Sequence, residues 1–223
     1  MILAIDGPAA SGKSTVARAV ARRLGWDYLD TGAMYRAVAA EALRAGVPLD
    51  DEESLTALAR RVTIGFLSDG IDPVPHAVTL DGRDVTEEIR SPATDGAVSP
   101  VARVAGVRAA LVGEQRRLAA DGDVVVEGRD IGTVVFPHAA VKVYLTASSH
   151  ERARRRLGDR AAAGHEADID EVARNIASRD EIDSGRAVSP LAVADDAHVV
   201  DTTDLSVDEV VSLIVRLVQE ATC

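Results

Sequence analysis

The 223-residue chain is 47% apolar and 27% charged, with a formal net charge of −11. That is enough apolar material for one substantial α/β domain with a core of its own. The charge disfavours a general nucleic-acid or anionic-membrane surface. The single cysteine, Cys223, excludes an intrachain disulfide and a cysteine-rich zinc site. No apolar run approaches the roughly 18 residues that span a bilayer, and Met1 to Asp6 lack the basic region of a secretory signal. A cytoplasmic protein is expected.

In chain order, the apolar run Ile2–Asp6 predicts a strand, followed by a helix over about Lys13–Leu24 that Gly25 ends. A short strand, Tyr28–Asp30, precedes a helix from about Ala33 to Arg44, and a third helix covers roughly Asp51–Arg61. The pattern then changes. Val62–Leu67 and Ala77–Leu80, with turns at Asp69-Gly70 and Asp81-Gly82 and prolines at 73 and 75, read as short antiparallel strands. Residues of about 62–100 therefore form a small inserted β-rich lobe. A helix over about Gly106–Ala120, a buried strand Asp123–Glu127 and a strand Val141–Leu145 resume the α/β alternation. Ser148 and Glu151 resemble a capping box opening an arginine-rich helix, and Ala161–His165 is a plausible flexible turn. Asp168 opens the next helix, His198–Asp201 is a last strand, and Ser206 with Glu209 caps the closing helix. The sum is a five-stranded parallel core with one inserted lobe and a helical hairpin.

Four constellations carry chemistry. The first is the loop Gly7-Pro8-Ala9-Ala10-Ser11-Gly12-Lys13-Ser14 between a strand and a helix. There, successive backbone N–H groups and the positive end of the helix dipole can converge on phosphate oxygens. Lys13 would neutralise β- and γ-phosphate charge, and the Ser14 hydroxyl would sit on Mg²⁺. Only one other lysine, Lys142, occurs among the 25 basic residues, so lysine is kept at this point of a chain that otherwise uses arginine. The second is Asp30-Thr31-Gly32-Ala33-Met34-Tyr35-Arg36 at the carboxyl end of a strand, where ligands of open α/β sheets sit. Thr31 can bond a phosphate or a base edge and Arg36 can grip a phosphate bidentately, although an ordinary strand–turn–helix capped by Thr31 accounts for the same residues. The third is Glu127-Gly128-Arg129-Asp130-Ile131-Gly132-Thr133 after a buried strand. Arg129 could hold a phosphate or a base carbonyl, Asp130 could accept from an amino group, and Glu127 could sit near the metal through water; a salt-bridged loop is the plainer alternative. The fourth is the hairpin. Arg152, Arg156 and Arg160 fall on one helix face with Arg155 beside them, and Arg179, Asp183 and Arg186 follow on the second arm. Arginines that close over a transferring phosphoryl group stabilise its charge, and a helical hairpin of about 151–183 is a reasonable lid.

Taken together, these segments, with Gly128–Pro137 and Arg186-Ala187-Val188-Ser189-Pro190-Leu191, resemble the cytidylate kinase family of bacterial nucleoside monophosphate kinases over nearly the whole chain. The resemblance implies a P-loop kinase fold, with core segments 1–61, 101–150 and 184–223, a monophosphate-binding insertion of about 62–100 and the lid. It implies ATP-dependent phosphorylation of CMP and dCMP with Mg²⁺. By position, the loop from Gly7 to Thr15 takes the ATP phosphates. Thr31, Arg36, Ser99, Arg108, Arg129, Asp130, Arg179, Asp183 and Arg186 match the family's monophosphate site. In that assignment Arg129 and Arg36 hold the α-phosphate. Ser99, Arg108 and Asp130 read the cytosine, and Asp183 and Arg179 hold the sugar hydroxyl. Lys13, Arg129, Arg156 and Arg179 form the catalytic charge clamp. Ala10 stands where many relatives carry glycine, and Thr31 where others carry serine. The acceptor phosphate is already an anionic nucleophile, so alignment and exclusion of water suffice, and closure over the substrates implies an open, mobile lid and insertion before they bind. The partners expected are ATP and CMP or dCMP, without nucleic acid or membrane, and a monomer is expected.

A kinase of a small metabolite such as a sugar acid or shikimate shares the loop, but the insertion and the Ser99–Arg108 set argue against it. A GTPase-type switch is excluded because the single asparagine, Asn175, is followed by Ile176 rather than by the lysine of a guanine-reading segment. Pyrimidine edges differ by one donor–acceptor swap, so a kinase of UMP or dTMP stays open at this point.

Overall fold

β1 (Ile2–Asp6) is buried on both faces, which is why it reads as a continuous apolar run. Its side chains alternate between two cores: Leu3 and Ile5 pack with Val16, Val20, Val143, Leu145 and Ile214, while Ala4 packs with Leu29, Val38, Leu111 and Val126. The computed structural model describes all residues except 163, 165–167 and 223, so Cys223 and part of the turn expected at Ala161–His165 lie outside the described residues.

After β1 come α1 (Lys13–Leu24), β2 (Asp27–Asp30), α2 (Thr31–Ala45) and α3 (Glu52–Arg61). β3 (Ile64–Leu67), β4 (Ala77–Leu80) and β5 (Arg83–Asp84) form a separate antiparallel sheet in that order. The expectation of a β-rich segment up to residue 100 is corrected at its end. A 3-10 turn at Glu88–Arg90 leads into α4 (Pro92–Arg103), which is helical and packs on α2. Ser91 caps it, accepting from Thr94 N at 3.2 Å, and Pro92 occupies the first turn, where a missing N–H costs nothing.

α5 (Ala105–Leu118), β6 (Val124–Glu127), β7 (Val141–Thr146), α6 (Ser149–Ala162), α7 (Ile169–Ser184), β8 (His198–Asp201) and α8 (Val207–Thr222) complete the order. The main sheet is five-stranded and parallel, in the order β2-β6-β1-β7-β8, as the alternation of elements predicts. α1 and α8 contribute to one core, α2 to α5 to the other. Each fully buried Leu, Ile or Val contributes roughly 1.5–3 kcal/mol, so the strand ends are fixed between two packed layers. Pairing places Ile5, Asp30 and Glu127 level with one another, and Asp6 level with Tyr144. The chain leaves β1 for β2 on one side and crosses from β6 to β7 on the other, so the carboxyl end of β1 opens on a crevice. No helix of the described residues is long and apolar enough to cross a membrane.

Candidate active site

Gly7 to Gly12 form the turn between β1 and α1. Gly7 (φ 150°) passes so close to β7 that a Cβ there would lie 2.0 Å from the Leu145 carbonyl oxygen, and Gly12 (φ 91°) sits left-handed at the start of α1. Ala10 also takes a left-handed conformation (φ 58°), so the methyl at the position where glycine is common carries backbone strain. Lys13 is buried and donates to the Pro8 carbonyl at 2.6 Å, bending back over the loop. Burial first, and the Arg129 charge second, hold its ammonium well below the usual lysine range; Glu127, Asp6 and Asp180 pull the other way. Ser14 Oγ donates to Glu127 Oε2 at 2.9 Å, while Thr15 is exposed.

Glu127, at the end of β6, is buried; its other oxygen accepts the Tyr28 hydroxyl. Burial and then the Asp30 charge raise its carboxyl above the usual range. A cation there would relieve both. The described residues contain no cluster of three or more His, Cys, Asp or Glu side chains placed to cage a metal. Hard oxygens of Ser14 and Glu127 at the mouth of a phosphate loop fit Mg²⁺, which keeps several waters and borrows phosphate oxygens.

The second segment is used differently from the expectation. Asp30 caps α2, accepting from Ala33 N at 2.8 Å, and also pairs with Arg36 at 2.8 Å. Thr31 is the first residue of the helix rather than its cap, and its hydroxyl donates to the Glu127 carbonyl at 2.7 Å. After Asp130 the chain makes a single π turn, Ile131–Val135, anchored by Asp6, which accepts from Ile131 N and Gly132 N at 2.8 and 2.7 Å. Burial outweighs these bonds and pushes the Asp6 carboxyl up to about 6.

The residues expected on the acceptor side fall into two groups. Arg108 and Asp130 form a buried pair at 2.5 Å, with the Arg108 guanidinium 5.2 Å above the centre of the Tyr35 ring. Tyr35 Oη, Arg108 Nε and both amide atoms of Gln115 are buried with no hydrogen-bond partner among the described residues. Separately, Asp183 on α7 takes Arg129 Nε at 3.0 Å and also Arg186. Ser99 is buried on α4, one turn beyond Asp95. Arg36 stays with its own helix cap, and no hydrogen bond among the described residues joins it to the Asp183 group.

The helices expected to form the lid, α6 and α7, pack against each other and on the loop. Ala9, Ala153, Val172 and Ile176 form a small buried cluster, Arg152 donates to the Ala9 carbonyl at 3.1 Å, and Asp180 accepts Ala9 N at 3.0 Å. Arg155 reaches the Ser11 and Thr202 carbonyls at 3.3 and 2.7 Å. The apolar cluster docks the two helices on the loop. Arg156 and Arg179 do not face the loop either: both end on Asp95 of α4, at 2.5 and 2.9 Å. Asp95, Asp180, Gln115 and Thr202 were not singled out from the sequence. Of these, only Asp180 carried a local signal, as the residue after Arg179.

The cytidylate kinase family model matches residues 3–220. The chain belongs to the cytidylate kinase family. A cytidylate kinase of Pelotomaculum thermopropionicum is 52% identical over 216 residues, covering 97% of this chain and 95% of that protein. One of Rhodococcus opacus is 50% identical over 222 residues, covering 99% and 95%. Among solved structures, shikimate kinase from Bacteroides thetaiotaomicron superposes with a TM-score of 0.51 at 12% identity, covering 98% of each chain; this likeness concerns the fold alone. Membership makes the chain a nucleoside monophosphate kinase with a nucleotide-binding loop of the P-loop type.

Proposed function

We propose that the chain transfers the γ-phosphoryl group of ATP directly, in line, to the phosphate of CMP and dCMP, giving CDP and dCDP. The observation that carries this reading is the charge balance of the two acceptor groups. Arg108 and Asp130 are paired one to one, a neutral, buried set suited to an uncharged base. Arg129 and Arg186 share the single carboxylate of Asp183 and retain one positive charge, suited to a phosphate.

In this reading Asp130 and Arg108 read the cytosine edge, with Ser99 on the adjoining helix, and Arg129 and Arg36 hold the acceptor phosphate. Asp183 contacts the sugar while orienting Arg129 and Arg186, and Arg179 adds its charge beside them. The loop amides from Gly7 to Thr15 and Lys13 bind the donor phosphates. Ser14, with Glu127 through water, would hold Mg²⁺, which neutralises charge on the β- and γ-oxygens when bound. No side chain has to remove a proton, because the acceptor oxygen is already anionic; Arg156, Arg179 and the docked lid supply alignment and exclusion of water.

The test is ATP-dependent turnover of the full chain against CMP, dCMP, UMP, dTMP, AMP and GMP. Highest kcat/KM is expected for CMP and dCMP. A preference for UMP or dTMP, or none, would overturn the assignment of the Arg108–Asp130 pair.

A further inference from the structure

Asp95 belongs to neither acceptor group and lies outside the loop, yet it receives two cations. Oδ2 accepts from Arg156 Nη2 of α6 at 2.5 Å and Oδ1 from Arg179 Nη1 of α7 at 2.9 Å. Each oxygen takes one guanidinium, so the two are held apart at a spacing fixed by one carboxylate. On Arg179, burial first and then repulsion from Arg129 and Arg156 disfavour the charge; Asp95 works against both. Burial likewise opposes ionisation of Asp95, but the two guanidinium groups outweigh it and hold its carboxyl below the ordinary range. Arg179 Nε is buried with no hydrogen-bond partner among the described residues. The pair therefore keeps one net positive charge and a spare donor.

The place of Asp95 matters as much as its charge. It lies in the first turns of α4, the helix that packs on α2 and carries Ser99 one turn later. It is thus a fixed point on the acceptor side that reaches both arms of the lid. Resting on the proposed function, we infer that Asp95 is a positioning residue for phosphoryl transfer. Carried by α4, it sets Arg156 and Arg179 side by side, so that the seat of the acceptor nucleotide and the charge clamp of the lid form one unit.

The test compares Asp95→Asn and Asp95→Glu with the unaltered full chain, using ATP and CMP kinetics together with amide hydrogen exchange. Asparagine keeps the shape and one acceptor but loses the charge. It should lower kcat between about tenfold and a hundredfold, as for a misplaced catalytic group, with both KM values within about twofold. Glutamate should restore part of kcat. Exchange should quicken in 149–162 and 169–184 in Asp95→Asn, but not in β1, β6 or β7. Unchanged exchange in both arms overturns the inference. So does an unchanged or raised kcat, the latter meaning that Asp95 restrains the arginines instead. A rise in KM with kcat retained overturns it too, as does Asp95→Glu no better than Asp95→Asn. If the unaltered chain phosphorylates no cytidine monophosphate, the proposed function fails, and the exchange measurement still decides whether Asp95 sets the lid.

Discussion

Removing either member of the Arg108–Asp130 pair should be costly, and unequally so. The two side chains are 2% and 5% exposed, their contact is 2.5 Å, and the guanidinium lies over Tyr35. Asp130→Ala leaves a buried guanidinium that cannot lose its proton at any accessible pH. Stripping one partner from such a pair costs about 3–5 kcal/mol, or a melting point lower by roughly 10 °C for a chain of this length. Arg108→Met leaves a buried carboxyl instead, and a carboxyl escapes by taking up a proton. Each pH unit above the ordinary aspartate value adds about 1.4 kcal/mol to the cost of that proton, so the loss should be about 1–3 kcal/mol at pH 5 and larger at pH 8. Replacing both should recover most of the loss, since a buried ion pair is often no better than an apolar one. Urea unfolding of the three variants at pH 5 and pH 8 measures all of this. At pH 5, equal losses, or a smaller loss for Asp130→Ala, would refute the idea that the uncompensated guanidinium dominates.

Arg129→Ala should raise the KM for CMP and lower kcat by about a hundredfold or more, while ATP affinity stays close to normal; steady-state kinetics with each substrate varied decides it, and an unchanged profile removes Arg129 from the site. For Asp6 the folded-state pKa of about 6 lies above the ordinary aspartate value of 3.8, so the folded chain holds the proton more tightly and loses stability as pH rises through that window. The stability of the unaltered chain minus that of Asp6→Asn should therefore fall by about 2 kcal/mol between pH 4.5 and 7, and a difference that grows with pH would contradict this. Gly7→Ala should fail to fold stably, because its Cβ would meet the Leu145 carbonyl oxygen at 2.0 Å. Ala10→Gly should stay within about 0.5 kcal/mol, relief of a left-handed alanine offsetting the added freedom of the unfolded chain; thermal melts of both variants check the contrast.

The parallel sheet and the loop were legible because their signals are local. An apolar run, a glycine-rich turn and an amphipathic helix follow one another within about 20 residues. α4 was missed although Ser91-Pro92 is a helix start, because Gly96 and Pro100 inside it are weak or forbidding helix residues and the preceding strands suggested more strand. The capping of α2 by Asp30 rather than Thr31 turned on a choice between adjacent residues that both cap well. The partners of the arginines were hidden for another reason. Asp95 lies 61 residues from Arg156 and 84 from Arg179, and Asp180 lies 171 from the Ala9 amide it accepts. No spacing rule spans such distances; only packing of α4, α6 and α7 brings them together. The π turn after Asp130 was equally out of reach, since it depends on Asp6 from the far end of the chain.

An acidic chain of net charge −11 can still be built to bind polyanions, because what counts is the ratio of charges at each point. Arginines with no counter-charge would repel one another and swing freely, and ordering them on binding would cost side-chain entropy. A carboxylate for every arginine would fix them but cancel the attraction. The structure takes an intermediate course: Asp183 and Asp95 each hold two guanidinium groups, leaving each cluster ordered and one charge short of neutral. Lys13 has a carbonyl rather than a carboxylate as its hydrogen-bond acceptor, and burial disfavours its charge. In the proposed reading, a phosphate arriving between these groups would supply the missing negative charge without having to organise the cations first. Arg108, matched one to one by Asp130, offers no such deficit. Charge stoichiometry thus separates the places suited to phosphates from the place suited to a base.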